Sequence, residues 1–580
     1  MRIKQLVILG LAALAAACSQ TTQTAQQPQA IDAVVYEEVV SAPPVRAPSG
    51  MVVASNIMAS QVGRNVLRSG GNAVDAAIAT GFAMAVVHPS AGNIGGGGFM
   101  VIRFPDGRVT AIDFREKAPL AAHSNMFLDE NGEYSRDIHH NSHLSVGVPG
   151  TVAGFAKAHE QYGSAEWSDL VQPAVDLAGE GFTLTQSLAA SIGFVAGRYP
   201  QYPATVAKFA NNGLPYEAGE VWRQPDLANT LTSIMHHGRD GFYKGKTARL
   251  LAEEMVRGGG MITEEDLARY EAQEREPIQG TYRGYDIISM PPPSSGGIAM
   301  VEMLNVLEGY DLTSMGHNSA AYIHHLAEAM RIAFRDRARL VADVDFVDVP
   351  IEHLTSKSYA RELRATIDDS RAAVSAPEDI QQPYESFETT HYSVVDGDGM
   401  AVSVTYTLEA GYGSKIVVPG AGFLLNNEMG DFNAQPGLTT ATGLIGTDGN
   451  LARPEQRMLS SMTPAILAKD GELVAVVGSP GGRTIINSVM QVILNIIDFD
   501  MNIQEAVDAR RLHHQWLPDR ISIEAGGVTP EIVAQLEAMG HTVRVRGSQG
   551  RTNSVMIDAR NGDRLGAPDS RAGDAGAAGN

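Results

Sequence analysis

A threonine hydroxyl is a poor nucleophile unless a base stands beside it, and this chain carries no recognisable serine elbow with His and Asp partners. The stretch Glu388-Thr389-Thr390-His391-Tyr392-Ser393 offers another source of base. If the Glu388–Thr389 bond breaks, Thr389 gains a free α-amine, whose unperturbed pKa is about 7.7 to 8.0, and that amine can take the proton from its own Oγ. Before the break the nitrogen is an amide and cannot do so. The first attack, by Thr389 Oγ on the Glu388 carbonyl, therefore depends on neighbours and strain, and water then hydrolyses the resulting ester. On local pattern alone the same stretch is also a plain β-hairpin. Thr390 to Val395 alternates polar and apolar residues, Asp396-Gly397-Asp398-Gly399 is a turn, and Ala401 to Leu408 resumes the β pattern.

Other residues have types suited to an acyl-transfer site. Arg115, in Asp113-Phe114-Arg115-Glu116, presents a planar fork that can grip a carboxylate with two parallel hydrogen bonds, or can pair with Glu116 as an ordinary ion pair. In Gly478-Ser479-Pro480-Gly481-Gly482-Arg483 a helix starts at Gly481-Gly482 and runs to about Ile497. N–H groups of Gly481 and Gly482 at a helix start would suit a developing oxyanion. Arg453-Pro454 and Leu459-Ser460-Ser461-Met462-Thr463-Pro464 lie between these motifs.

In this order the motifs resemble the γ-glutamyltransferase (glutathione hydrolase) family of N-terminal-nucleophile hydrolases, from about residue 48 to the C-terminus. The resemblance implies an α/β fold, a four-layer αββα sandwich built jointly by two fragments of one self-cleaved chain. It implies that Thr389 attacks the γ-glutamyl amide of glutathione and its conjugates, and that water or an amino acid or dipeptide acceptor receives the γ-glutamyl group. It implies that Thr407 hydrogen-bonds the nucleophile and that Gly481 and Gly482 hold the oxyanion. Arg115, Ser460 and Ser461 would take the substrate's α-carboxylate. Asp431 would take its α-amine, helped by Glu409 and Glu428. No cofactor or metal is required. Many family members have Asn where Glu409 stands and Gln where Glu428 stands, so the amine side here is more acidic. The Gly- and Thr-rich run Asn433 to Asn450 matches the family's active-site lid, with Thr442 where a lid tyrosine is usual.

The elements that must position these residues read as follows. Ser55 to Arg68 and Ala73 to Val87 have helical patterns, the second capped by Asn72. Gly92 to Gly98 lacks the Gly-Lys-Ser/Thr ending of a phosphate loop and precedes a strand, Phe99 to Phe104, so it reads as close backbone packing. A Pro105-Asp106-Gly107 turn returns the chain as Val109 to Phe114, which delivers Arg115. Residues 120 to 380 read as mostly helical, with turns at Gly147-Val148-Pro149-Gly150 and Pro291-Pro292-Pro293-Ser294-Ser295-Gly296-Gly297, both similar to family segments. Ser319 to Leu340 is a charged helix in which adjacent His324 and His325 face different ways, against a shared metal. Ser370 to Phe387 is a linker by composition. Gly422 to Asn427, Thr463 to Ala468 and Glu472 to Val477 read as strands.

The composition bounds the rest. With 44% hydrophobic and 19% charged residues the chain is globular, and a net charge of −22 with no basic stretch argues against nucleic acid. Arg2 and Lys4 precede an apolar run, Leu6 to Ala17, too short to span a bilayer and suited to a signal peptide. The single cysteine, Cys18, ends a stretch like a bacterial lipoprotein processing site and rules out an intrachain disulfide. The expected organisation is a signal peptide over 1–18, a tether over 19–48, a large subunit over 49–388 and a small catalytic subunit over 389–580. The product would be exported, either periplasmic or lipid-anchored through Cys18, with the two fragments paired as a heterodimer. A related glutaryl or cephalosporin acylase would keep the nucleophile but have no use for an amine pair. A non-catalytic amino-acid-binding lipoprotein would keep the pocket but have no use for a free Thr389 amine.

Overall fold

The computed structural model describes residues 39–376, 389–441 and 445–580. The signal peptide, Cys18, Glu388 and Thr442 lie outside the described residues.

Two seven-stranded sheets form the centre. Their strands in chain order are β1 (Val45–Ala47), β2 (Met51–Ala54), β3 (Gly97–Arg103), β4 (Val109–Asp113), β5 (Gln273–Arg275), β6 (Ile278–Tyr282), β7 (Tyr285–Ser289), β8 (Thr390–Val395), β9 (Ala401–Thr407), β10 (Ala465–Lys469), β11 (Glu472–Val477), β12 (Ser554–Ile557), β13 (Arg564–Ala567) and β14 (Gly576–Gly579). One sheet has the order β14-β2-β8-β9-β3-β4-β5 and the other β1-β13-β12-β11-β10-β7-β6. Every neighbouring pair in both is antiparallel.

The period of two along a strand sorts side chains between layers. Val52, Met100 and Ile102 join a core with helices α1 (Ile57–Arg68) and α2 (Ala73–Val87). Val53, Phe99 and Val101 face the other way, into a core shared with Ile466 and Val476 of the second sheet. That second core continues into α3 (Gly296–Leu307), α4 (Ala320–Leu340) and α5 (Thr484–Ile497), which completes four layers, α/β/β/α. Between the sheets, Ser393 Oγ donates to the Asn553 carbonyl at 2.8 Å and Ser403 Oγ to the Val477 carbonyl at 3.2 Å. Their polar atoms are thus satisfied inside a buried interface.

Helix α2 is buried along its whole length and begins in a capping box, Asn72 with Asp75. Its Ala-rich surface lets it lie close to β8 and β9. The segment 120–380 is less helical than its composition suggests, because β5, β6 and β7 lie in it and extend both sheets. Ile278 to Tyr282 buries only its two ends, so its apolar signal is weak. Gly422 to Asn427 is no strand. It holds a single bridge, Val417 to Leu424, with the Val418 N–H donating to the Phe423 carbonyl at 3.0 Å and the Leu425 N–H to the Ile416 carbonyl at 2.9 Å, and Asn426 Nδ2 donates to the Gly95 and Gly147 carbonyls at 2.8 Å each.

Candidate active site

Thr389 stands immediately before β8, in the middle of its sheet, and is 6% exposed. The β8–β9 register sets Thr390 opposite Tyr406, so Thr407, at the end of β9, comes level with Thr389. The Thr389 hydroxyl donates to Thr407 Oγ1 at 3.4 Å, and the Glu409 N–H donates to the same oxygen at 2.8 Å. The Gly92–Gly98 loop fixes the end of β9. Asn93 Nδ2 donates to the Thr407 carbonyl at 2.8 Å, and a Cβ on Gly96 would sit 2.0 Å from that carbonyl oxygen. Close backbone packing is therefore the loop's role, as its sequence suggests. His391, on the same strand face as Thr389, bonds Thr405 Oγ1 at 2.9 Å and Ser393 Oγ at 3.0 Å, and burial lowers its pKa to about 3. It stays neutral and lies within the sheet stack, not in the cavity.

The cavity in front of Thr389 gathers Arg115, Thr407, Glu409, Glu428, Asp431, Ser460, Ser461 and Gly482. Arg115 follows β4 and is fully buried. Its guanidinium donates to Glu428 Oε1, to Asp431 Oδ2 and, at 3.3 Å, to the Met458 carbonyl. The cationic and anionic halves of the expected amino-acid site thus hold each other. Glu116 approaches the same guanidinium at 3.8 Å. Its two buried oxygens, and Glu428 Oε2, have no hydrogen-bond partner among the described residues. Burial pushes the Glu116 pKa up to about 8, against the pull of Arg115. Burial also raises Glu428 well above the carboxylate range, with Glu116, Asp431 and Glu409 adding to the rise and Arg115 opposing it. Asn427 Nδ2 donates to Glu409 Oε2, which fixes that carboxylate beside the cavity.

Helix α5 begins at Thr484, so Gly481 and Gly482 form the turn ahead of it and not its first turn. Their φ values of 132° and 57° are glycine conformations. Gly482 lines the cavity, and neither glycine's N–H has a hydrogen-bond partner among the described residues. Asn433, Ala434, Ile445, Thr447 and Asn450 also line the cavity. The Asn433 N–H donates to the Asn450 carbonyl at 2.7 Å, and Asn450 Nδ2 to the Asp431 carbonyl at 2.8 Å, which closes the loop at its base.

Arg337 of α4, read from sequence only as helix charge, also lines the cavity. His324 and His325 do point apart. His324 bonds His541 Nε2 and the Asp368 carbonyl, each at 2.8 Å, and His325 bonds the Ala321 carbonyl and Asp369. Glu328 comes close to His324 and His541, the one group among the described residues compact enough to share an ion. Its two imidazoles already bond each other.

The layered sandwich, with a threonine at the head of a central strand, defines an N-terminal-nucleophile hydrolase. The γ-glutamyltranspeptidase model matches residues 59–579, and the chain belongs to that family. It is 47% identical to the glutathione hydrolase proenzyme of Escherichia coli strain K12, covering 92% of each chain. Among solved structures, it is similar to a cephalosporin acylase from Bacillus halodurans with a TM-score of 0.81 and 29% identity, covering 96% of this chain and 99% of that one. It is 44% identical to Helicobacter pylori γ-glutamyltranspeptidase over 57% of this chain and 93% of that one, with a TM-score of 0.54.

Proposed function

We propose that the chain matures by cutting itself between Glu388 and Thr389, and that the product is a glutathione hydrolase and γ-glutamyltransferase. The observation that carries this reading is the juxtaposition, in one cavity, of Thr389 with a buried guanidinium and carboxylates that would each hold one charge of an amino-acid head. Thr389 Oγ attacks the γ-amide carbonyl while its proton passes to the Thr389 amine. The N–H groups of the Gly481–Gly482 turn stabilise the oxyanion, and Thr407 orients the hydroxyl. The C–N bond then breaks, the amine returns the proton to the leaving nitrogen, and a γ-glutamyl-Thr389 ester remains for water or an amine acceptor. Arg115, Ser460 and Ser461 take the α-carboxylate, and Asp431, with Glu409 and Glu428, takes the α-ammonium. Binding is then an exchange, in which the substrate's zwitterion replaces the internal Arg115–Asp431 and Arg115–Glu428 pairs.

The likeness to a cephalosporin acylase favours a second reading, an acylase for glutaryl amides, in which the carboxylates opposite Arg115 have no ammonium to meet. The two readings separate on kcat/KM for a γ-glutamyl amide against a glutaryl amide that lacks only the α-amine. A strong preference for the γ-glutamyl amide supports the first, and equal values would overturn it. We also take residues 1–18 as an export signal, 19–48 as a tether and Cys18 as its lipid anchor, on the sequence pattern alone. The mass of the mature N-terminus tests this, since an unmodified terminus other than Cys18 excludes the anchor. The fragments 49–388 and 389–580 would remain paired.

A further inference from the structure

The Pro291–Gly297 turn and Arg337 converge on the serine pair. The Ser295 N–H and Oγ both donate to the Ser460 carbonyl, at 2.9 and 2.6 Å. The Ser460 N–H donates to the Pro293 carbonyl at 2.9 Å, and Ser294 Oγ to the Met462 carbonyl at 2.5 Å. Arg337, 8% exposed, closes this clamp from α4: its Nε donates to Ser295 Oγ at 2.8 Å and its Nη2 to Ser461 Oγ at 3.0 Å. A hydroxyl has one proton to give, and a guanidinium has no acceptor to receive it. The Ser461 proton therefore cannot turn back toward Arg337. Ser460 Oγ is likewise held as an acceptor, by the Met462 N–H at 3.1 Å. Both hydroxyl oxygens are engaged from within the protein, and both serines line the cavity.

We propose that Arg337 is a positioning residue for the substrate's α-carboxylate: it fixes the Ser461 hydroxyl as a donor into the cavity and lines that cavity with a second guanidinium. The inference rests on the reading of the cavity as an amino-acid site. It assigns to the large fragment the orientation of a binding group carried by the small one. Only a substrate with an α-carboxylate gains from it.

The test compares a γ-glutamyl amide with its analogue in which the α-carboxylate is a carboxamide, using wild type, Arg337→Met, Arg337→Lys and Ser461→Ala, each checked for self-cleavage on a denaturing gel. In Arg337→Met, the preference for the carboxylate substrate falls by about ten- to a hundredfold, the range for a hydrogen bond to a charged group. KM carries the loss and kcat changes little. Arg337→Lys recovers part of it, because one ammonium cannot bond both serines. The double variant Arg337→Met/Ser461→Ala loses no more than the larger single loss, as coupled residues do. If Arg337→Met does not fold, Ser295→Ala, which removes one end of the clamp, must show a smaller loss in the same direction. Equal losses on both substrates, or additive losses in the double variant, overturn the proposal. An unchanged preference in Arg337→Met overturns it while leaving the amino-acid site intact. A wild type that does not distinguish the two substrates overturns both.

Discussion

At the scale of single residues the decisive contacts are those that the substrate must replace. Arg115 is buried between Glu428 and Asp431, so an incoming carboxylate competes with two that are already in place. Removing one partner of a buried charged pair commonly costs about 2 to 5 kcal/mol, much of it the penalty of the charge left behind. Asp431→Ala should therefore erase most of the preference for a γ-glutamyl over a glutaryl amide. An unchanged preference would assign the amine to Glu409 or Glu428. Glu428→Gln removes one of the carboxylates that take the substrate's ammonium and should raise KM for the γ-glutamyl substrate. A lowered KM would mean that Glu428 acts only as an internal competitor for Arg115.

Glu116 adds a pH dependence to the same cluster. Its pKa is pushed up to about 8 by burial, from an ordinary 4.5. Between those values the folded chain holds a proton that the unfolded chain has lost, so this group makes folding less favourable as pH rises across that window. Once ionised, above about pH 8, it also competes for Arg115. Glu116→Gln should flatten both the fall of Tm between pH 5 and 8.5 and any rise of KM on the alkaline side. Parallel Tm curves for variant and wild type would show that Glu116 keeps its charge in the fold.

At the scale of elements, Thr389, the proposed nucleophile, is placed by the end of β9, and β9 is placed by the glycine loop next to it. A Cβ on Gly96 would meet the Thr407 carbonyl oxygen at 2.0 Å and Asn93 Oδ1 at 2.8 Å, whereas one on Gly197 would meet nothing within 4 Å. Gly96→Ala should therefore shift Thr407, lower stability by about 1 to 3 kcal/mol and slow self-cleavage. Gly197→Ala should do neither. Thermal melts and the time course of the two bands on a gel decide, and a normal Gly96→Ala would remove the loop from the account.

Much of this was legible beforehand. The bounds of α2 and β8 follow from capping and alternation, and both agree with the sequence reading to the residue. The order of the motifs located Thr389, Thr407, Arg115 and the serine pair, all of which the fold brings to one cavity. Other features were hidden because they depend on tertiary partners. Asn426 ties its segment through its side chain to two distant carbonyls, which no local pattern marks. The internal pairing of Arg115 needs residues more than three hundred positions apart. Arg337 did leave a signal. It continues the buried stripe Ile323, Met330 of its helix, and a guanidinium at an apolar stripe position needs polar partners inside the protein.

At the scale of the whole molecule, the strands on either side of the Glu388–Thr389 bond are interleaved. In the first sheet β8 and β9 lie between β2 and β3, and in the second β10 to β13 lie between β1 and β7. The last strand, β14, pairs with β2, so the two parts are joined at both flanks of the first sheet. Separating them after cleavage would strip paired strands from both sheets and open the cores on both faces, at a cost comparable to unfolding. The last described residues before Thr389 are fastened as well: the Ala372 N–H donates to the Met539 carbonyl at 2.8 Å, and the Ser375 N–H to Asp519 at 2.7 Å. The matured protein should therefore run as one species on a sizing column and as two bands on a denaturing gel, the smaller beginning at Thr389, and the two should be lost together in a single thermal transition. Thr389→Ala should run as one band in both and have no activity. Two separable species under native conditions would overturn the interleaved assembly, and a smaller band with any other first residue would overturn Thr389 as the nucleophile.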